Sequence, residues 1–410
     1  MPNTALAARC GAIGHGLIVA MPIAMWLANR SAPLVLVLAT AAFVSAAIAA
    51  EGVRPIAVRA GRALKSPAAL PLAAFLAWAL ATVAWSHAGR SSLAMWGELV
   101  LPFLCALAIA ASGRMRPSIV FGRALALSLI AASALMSYEL LTDLAIRITL
   151  GLGRQYGFVF NRPMLVDLLL MGAVLPGLLA GGARDRLLAL ATLLAVGAAI
   201  FVSDSGAAKL GLLIMLPVWL LASILPRLVL TLVALGFAGA MMLAPVQGLV
   251  ADALMSPALH QKLAGAHTRE RVDIWLSFGE AVRLQPLRGA GFNSSAAFDS
   301  HPLAARVPEP FRRMLAVGHP HSAPIQAWVE TGGIGAVLLI LAGLALLWSL
   351  RNWPARRMAP ALGLFAAGFG VASTAHGAWQ GWWIAALVTA ALWLSFSDRR
   401  ESPPHGVRNG

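Results

Sequence analysis

The sequence predicts an all-α, polytopic membrane protein, and three observations carry that reading. Of 410 residues, 60% are hydrophobic and only 11% are charged, outside the range of a soluble globular domain. The mean hydropathy is +0.79. Apolar runs of about 20 residues, the length that crosses a bilayer, recur along almost the whole chain. Backbone groups in lipid must be paired internally, so helices are the expected element, and no alternating pattern suggests a barrel. The net charge of +15 does not gather into one patch. Basic residues lie scattered between apolar runs, as in loops that anchor a membrane protein, and nucleic acid is not an expected partner. Cys10 and Cys105 both sit inside apolar stretches, so no disulfide framework is expected.

Twelve runs are long enough to be spans: roughly 10–28, 32–50, 68–86, 92–112, 118–140, 163–181, 186–203, 206–224, 228–245, 323–350, 359–376 and 379–397. The first follows only Arg9 and precedes further spans, which reads as an uncleaved helix and not a signal peptide. Spans nine and ten are separated by 246–322, a stretch holding His260, His267, His301, His319 and His321. A loop of that length is expected to be a folded functional element. The resulting plan is 1–245 for spans one to nine, 246–322 for a large helical loop, 323–397 for spans ten to twelve, and 398–410 for a polar tail.

Charge orients this plan. With the N-terminus in the cytoplasm, seventeen Lys and Arg fall in inside segments. The short outside loops hold five: Arg30, Arg90, Arg147, Arg154 and Arg162. Long loops translocate largely regardless of charge and are left out of the count. Both termini are therefore expected inside and the long loop outside, which in a bacterium with two membranes is the periplasmic side of the inner membrane.

Several polar residues then fall on the outer side. Arg162 opens the sixth span in Asn161-Arg162-Pro163. An arginine at a helix centre costs about 2.5–3.5 kcal/mol on insertion scales, so this one is expected at the interface or facing a polar cavity. A snorkelling anchor and a functional cation remain open alternatives for it. The segment Thr268–Gly291 reads as an amphipathic helix ended by Pro286 and a Gly-rich turn. Arg271, Trp275, Phe278 and Val282 share one face, with Glu270, Asp273, Ser277 and Glu280 opposite. Arg271 thus lies on the face expected to pack against the membrane domain, and Arg288 follows in the turn. A helix lying on the bilayer with Arg271 on lipid phosphate is the other reading. Downstream, His319 and His321 stand at the mouth of the tenth span, flanked by Gly and Pro. Gly332, Gly333 and Gly335 allow close helix packing. Glu330 needs a partner inside the span, and Gln326, one turn away, is the candidate.

The stretch His321-Ser322-x-x-Ile325, followed by Glu330-x-Gly332-x-x-Gly335, resembles the signature of the O-antigen ligase family, H-N-x-x-L then E-x-G-x-x-G. Upstream, Arg271-x-x-x-Trp275 and Pro286-x-x-Gly289-x-Gly291 are similar to that family's R-x-x-x-W and P-x-x-G-x-G elements. Order, spacing, compartment and the twelve-span plan agree, so the resemblance covers most of the chain. Two positions depart. Ser322 stands in place of Asn, keeping a polar group. The family's S-R-G-A appears as Asp204-Ser205-Gly206-Ala207 without its arginine, and Lys209 follows one turn later.

The resemblance implies a GT-C-like glycosyltransferase that moves an O-antigen glycan from undecaprenyl diphosphate to lipid A–core. Arginine forks match a diphosphate bidentately and stay ionised. Arg271 is the first choice for that role, followed by Arg162, Arg288 and Lys209. His321 is the candidate general base, with His319, Asn161 and Glu330 in support. Attack opposite the leaving diphosphate would invert the anomeric centre. Asp252, Asp273, Asp299 and Glu309 are dispersed, so arginine in place of a metal is expected, with no cofactor. The expected partners are the lipid-linked glycan, lipid A–core and membrane lipids. An O-antigen polymerase or a protein O-oligosaccharyltransferase of the same superfamily remains open, the acceptor discriminating. A transporter or flippase would instead place ionisable residues near the midplane. Apart from Glu330, Glu139 and Lys209, the spans are nearly free of them.

Overall fold

The computed structural model describes residues 3–153, 156–262 and 268–397. Arg154, His267 and the tail 398–410 lie outside the described residues. No strand occurs among those described, and the helices are α1 (Thr4–Leu27), α2 (Ala32–Glu51), α3 (Val53–Leu64), α4 (Ala69–Thr82), α5 (Gly89–Ser112), α6 (Ile119–Leu141), α7 (Ala145–Thr149), α8 (Asn161–Leu179) and α9 (Ala183–Val202). There follow α10 (Gly206–Ile224), α11 (Pro226–Leu243), α12 (Gln247–Leu254), α13 (Pro257–Lys262), α14 (Thr268–Leu284), α15 (Glu309–Arg312), α16 (Ala323–Ser349), α17 (Ala355–Ala372) and α18 (Gly381–Phe396).

A helix stands at each of the twelve expected positions. Among the described residues, nine are long and apolar enough to cross a membrane, or ten if the broken pair Val53–Leu64 and Ala69–Trp85 counts as one. Three expected spans fall short on their own, the first being α4 with 14 residues. Arg356 and Arg357 in the first turn of α17 shorten its apolar run, and α18 has only 16 residues.

The chain divides into two compact units. One takes the chain up to Arg62, Pro102–Ser205 and the chain from Ala385; the other takes Ala63–Leu101 and Gly206–Ile384. In the first unit, α8 is buried along most of its length, and α1, α6 and α9 pack against it. Several charged groups in this unit have hydrogen-bond partners. Asp185, at the start of α9, accepts from Arg123 Nε (2.6 Å) and from the Gly182 amide (3.2 Å). Glu139 takes the Arg147 backbone amide at 3.2 Å, while the buried Arg147 guanidinium donates to the carbonyl of Trp26. Asp167 is also fully buried in α8, with Ser133 Oγ 3.5 Å from its carboxyl. Asp167 adds to the few ionisable residues that the hydropathy pattern leaves inside the spans.

In the second unit, the segment between α11 and α16 folds around its own core. Phe278 and Val282 of α14 meet Phe298, Val307 and Leu315 from the turns that follow, and Ile325 and Val329 of α16 complete the cluster. The helix expected from Thr268 is present and ends at Leu284, before Pro286. It is buried on more than the one face expected: Ser277, placed opposite Phe278 by the simple wheel, is buried too, its hydroxyl donating to Asp273 O at 2.8 Å. The loop wraps this helix, so both sides find cover. Phe278→Ala is expected to cost about 3–5 kcal/mol, read as a lower melting temperature of the detergent-solubilised protein. An unchanged melt would show that this cluster is not a core.

Candidate active site

The site is built on a break in α16. Gly332 has φ 66° and ψ −172° inside that helix. A break frees carbonyls before it and amides after it, and all such groups need partners away from water. The segment 286–291 supplies them. Ala290 N donates to Val329 O (2.7 Å) and Gly291 N to Glu330 O (3.1 Å), while Gly333 N and Ile334 N donate to Pro286 O (2.8 Å) and Leu287 O (3.2 Å). Trp78 Nε1 takes the remaining carbonyl, Thr331 O, at 2.8 Å. The two glycine motifs are therefore halves of one joint. A Cβ on Gly332 would lie 2.2 Å from Leu287 O, and one on Gly289 would lie 2.5 Å from the Glu330 carbonyl carbon. Both positions also hold positive φ, so a side chain is excluded twice.

Glu330 locks the joint from inside. Its fully buried carboxyl accepts from Gln326 Nε2 (2.9 Å), Asn293 N (2.7 Å) and Trp379 Nε1 (2.6 Å). Gln326 is the partner expected from the sequence. Its carbonyl oxygen also takes the Ala378 amide at 2.8 Å, tying in the segment after α17. Asn293 and Trp379 were not anticipated, because they lie 37 and 49 residues away in the chain.

The histidines sit one step above this lock. Ser322 caps α16: its hydroxyl donates to Gln247 Oε1 at 3.1 Å and faces the Ile325 amide. Asn and Ser are both preferred N-caps, which explains physically why Ser322 can stand where the related signature has Asn. His321, just before the cap, has φ 50°, a left-handed conformation costing about 1–2 kcal/mol for an L side chain. Its neighbours hold it there. Trp275 Nε1 donates to Pro320 O at 3.1 Å, and the His321 amide faces His319 Nδ1 at 3.3 Å.

The His321 ring places Nδ1 2.5 Å from Ala375 O. A carbonyl only accepts, so Nδ1 carries the proton and Nε2 keeps its lone pair. The His319 and His321 ring centroids are 4.1 Å apart. Arg271 lies one turn before Trp275 on α14, half-buried, and its charge acts on His321. R-x-x-x-W thus has a structural sense: the indole pins the histidine segment beside the guanidinium.

Burial pushes the His321 imidazole down, with the Ala375 hydrogen bond opposing and Arg271 adding to the fall. His319 is pushed down to about 3 by burial, then by His321 and His376. His376, whose ring lies 4.7 Å from that of Trp383, is a third imidazole acting on the pair.

The other anticipated residues are placed differently. Arg288 is exposed, its Nε 3.3 Å from Gln285 Oε1 and its guanidinium 5.9 Å from the Trp85 ring centroid. Lys209 is half-buried in the first turn of α10. Asn161 and Arg162 open α8 in the other unit, both half-buried. Two histidines of the long loop hold structure. His301 has Nε2 3.2 Å from Ala290 O and accepts from Leu303 N at 3.0 Å, and His260 Nδ1 is 3.0 Å from Thr268 Oγ1. Among the described residues, no three His, Cys, Asp or Glu gather closely enough to hold a metal ion.

Residues 190–340 match the family model described as O-antigen ligase. Arg271, the joint glycines, His321 and Glu330 all fall within that O-antigen ligase match. No curated protein matches the chain.

Because His319 and His321 titrate below their ordinary value of 6.5, the folded state binds fewer protons than the unfolded one. The stability this contributes is full above pH 6.5 and is lost as pH falls, for His319 down to about 3. His319→Gln should flatten the acid-side fall in melting temperature. An unchanged slope would remove this imidazole as its source.

Proposed function

We propose that the protein is an O-antigen ligase. It transfers the glycan from undecaprenyl diphosphate to lipid A–core at the periplasmic face of a bacterial inner membrane. The family domain over residues 190–340 supports the reaction class. The observation that carries the assignment of roles is the His321 Nδ1 to Ala375 O contact beside Arg271. It leaves a neutral imidazole with a basic Nε2 next to a permanent cation.

In this reading the acceptor hydroxyl attacks the anomeric carbon of the donor glycan, and His321 Nε2 takes the hydroxyl proton as the new C–O bond forms. The bond to the diphosphate breaks and its electron pair leaves with undecaprenyl diphosphate. Arg271 binds that leaving group through its fork, and because its charge is permanent it needs no proton transfer to do so. The exposed Arg288 and the half-buried Lys209 are assigned further contacts to the diphosphate. Attack from the face opposite the leaving group inverts the anomeric centre. His321 is preferred to His319 as base because a group held near pKa 3 accepts protons weakly. His319 instead orients the His321 backbone. Glu330 and Gln326 hold the joint on which these groups stand. No metal enters the scheme: the cationic work is assigned to arginine, and carboxylates such as Asp252, Asp273, Asp299 and Glu309 are not gathered into a cluster.

The test uses purified full-length protein with lipid-linked O-antigen and lipid A–core. Product is expected, and EDTA should leave it unchanged. His321→Ala should lower the rate by about 10²–10⁴, with the melting temperature retained. Arg271→Lys should be severely impaired as well, because a point charge cannot replace the fork. Near-normal turnover by either variant would remove that residue from its role, and strict metal dependence would overturn the metal-free scheme. Transfer only to a growing glycan or to a protein hydroxyl would assign the chain to a polymerase or a protein O-oligosaccharyltransferase instead.

A further inference from the structure

At the end of the first unit where α1 begins and α2 ends, a cavity of about 820 Å³ opens among α1, the end of α2, α3 and the segment after α5. Its ionisable lining is Arg59, Arg114, Arg116, Glu51 and His15, three guanidiniums to one carboxylate, with Thr4 and Ser112 also polar. The rest of the wall is apolar and small: Ala8, Gly11 and Ala12 of α1 form a shallow groove, with Phe121 beside it.

The polar residues divide into those that build the wall and those that face the space. Arg59 builds. It donates to Glu51, to Ala111 O (2.5 Å) and to Ser112 O (3.2 Å). His15 also builds: Nδ1 lies 2.8 Å from Gly11 O, so Nε2 accepts the Arg116 amide at 3.1 Å, fastening the 113–117 turn to α1. Arg114 makes only a long 3.6 Å contact with Glu51, and the Arg116 side chain is exposed. These two guanidiniums remain to bind an anion at the mouth of an apolar groove.

A second, independent feature lies alongside. Helix α3, Val53–Leu64, has no buried residue. Arg54, Arg59 and Arg62 lie along one side, and Val53, Ile56, Ala60 and Leu64 along the other, with Val53 63% and Leu64 50% exposed. A short basic amphipathic helix directly after a span is built to lie in the headgroup layer, apolar face down. It sets the level of the bilayer surface at the level of the cavity.

We propose that this cavity binds an anionic glycerophospholipid, with its phosphate on Arg114 and Arg116 and an acyl chain along the Ala8–Ala12 groove. A soluble anion would satisfy the arginines but leave the groove uncovered. A zwitterionic lipid would fill the groove but bring a cation to a cationic rim. The site is independent of the glycan-transfer reading.

Native mass spectrometry of the detergent-purified full-length protein, titrated with phosphatidylglycerol, phosphatidylcholine of the same chains, or inorganic phosphate, tests this. Phosphatidylglycerol should be retained, phosphatidylcholine should not, and phosphate should not compete. Arg114→Gln with Arg116→Gln should weaken phosphatidylglycerol binding about 25-fold, roughly fivefold per cation removed. The Arg116 amide that holds His15 survives this change, and an unaltered melting temperature in phosphatidylcholine checks the fold. Ala12→Trp, which fills the groove, should abolish retention without removing a charge. Equal retention of both lipids, competition by phosphate, or wild-type binding by the double variant would each overturn the proposal.

Discussion

A membrane-crossing helix that breaks must find new donors and acceptors for the groups it releases, and at Gly332 they come from the backbone of 286–291. The Val329, Glu330 and Thr331 carbonyls and the Gly333 and Ile334 amides each have a partner outside the helix. In a low-dielectric setting each unpaired group would cost several kcal/mol, so the break and the docked segment stand or fall together. Glu330 adds three donors from three separate parts of the chain to the same point. The Glu330 carboxyl is thereby a fastening, one step below the histidines.

From that fastening the chemistry of the outer groups follows. The joint fixes the start of α16, its Ser322 cap fixes His321, and the Trp275 indole brings α14 and Arg271 to the same place. Burial and the Arg271 charge both disfavour a protonated His321, so a base and a permanent cation can stand side by side without competing for a proton. In the proposed reaction charge is divided by role: the Arg271 guanidinium meets the anion, and the imidazole stays neutral until it accepts a proton.

Much of this was legible in the chain. Twelve helix positions follow from apolar runs, and helix α14, with its end before Pro286, follows from spacing and a breaker. The Glu330–Gln326 pair follows from helical geometry. Whatever depends on long-range contact was not legible. Nothing local announces that Trp379 donates to Glu330, or that the Ala375 carbonyl sets the His321 tautomer from 54 residues away. The downstream glycines read as an allowance for close packing and the upstream ones as a turn, whereas the two motifs are complementary halves of one hydrogen-bonded joint. Ser277 falls opposite the apolar face on a wheel that assumes one covered face, whereas the loop covers two. Arg356 and Arg357 shorten an apolar run without erasing its helix, which is why span number was less legible than helix number.

The most direct measurement of the central claim is hydrogen–deuterium exchange over residues 286–293 in two variants. If Glu330 fastens the docked segment, Glu330→Ala should raise exchange there sharply, toward that of an open loop. His321→Ala, which removes a ring above the joint but none of its bonds, should leave exchange at the wild-type level. Wild-type protection in Glu330→Ala would contradict the account.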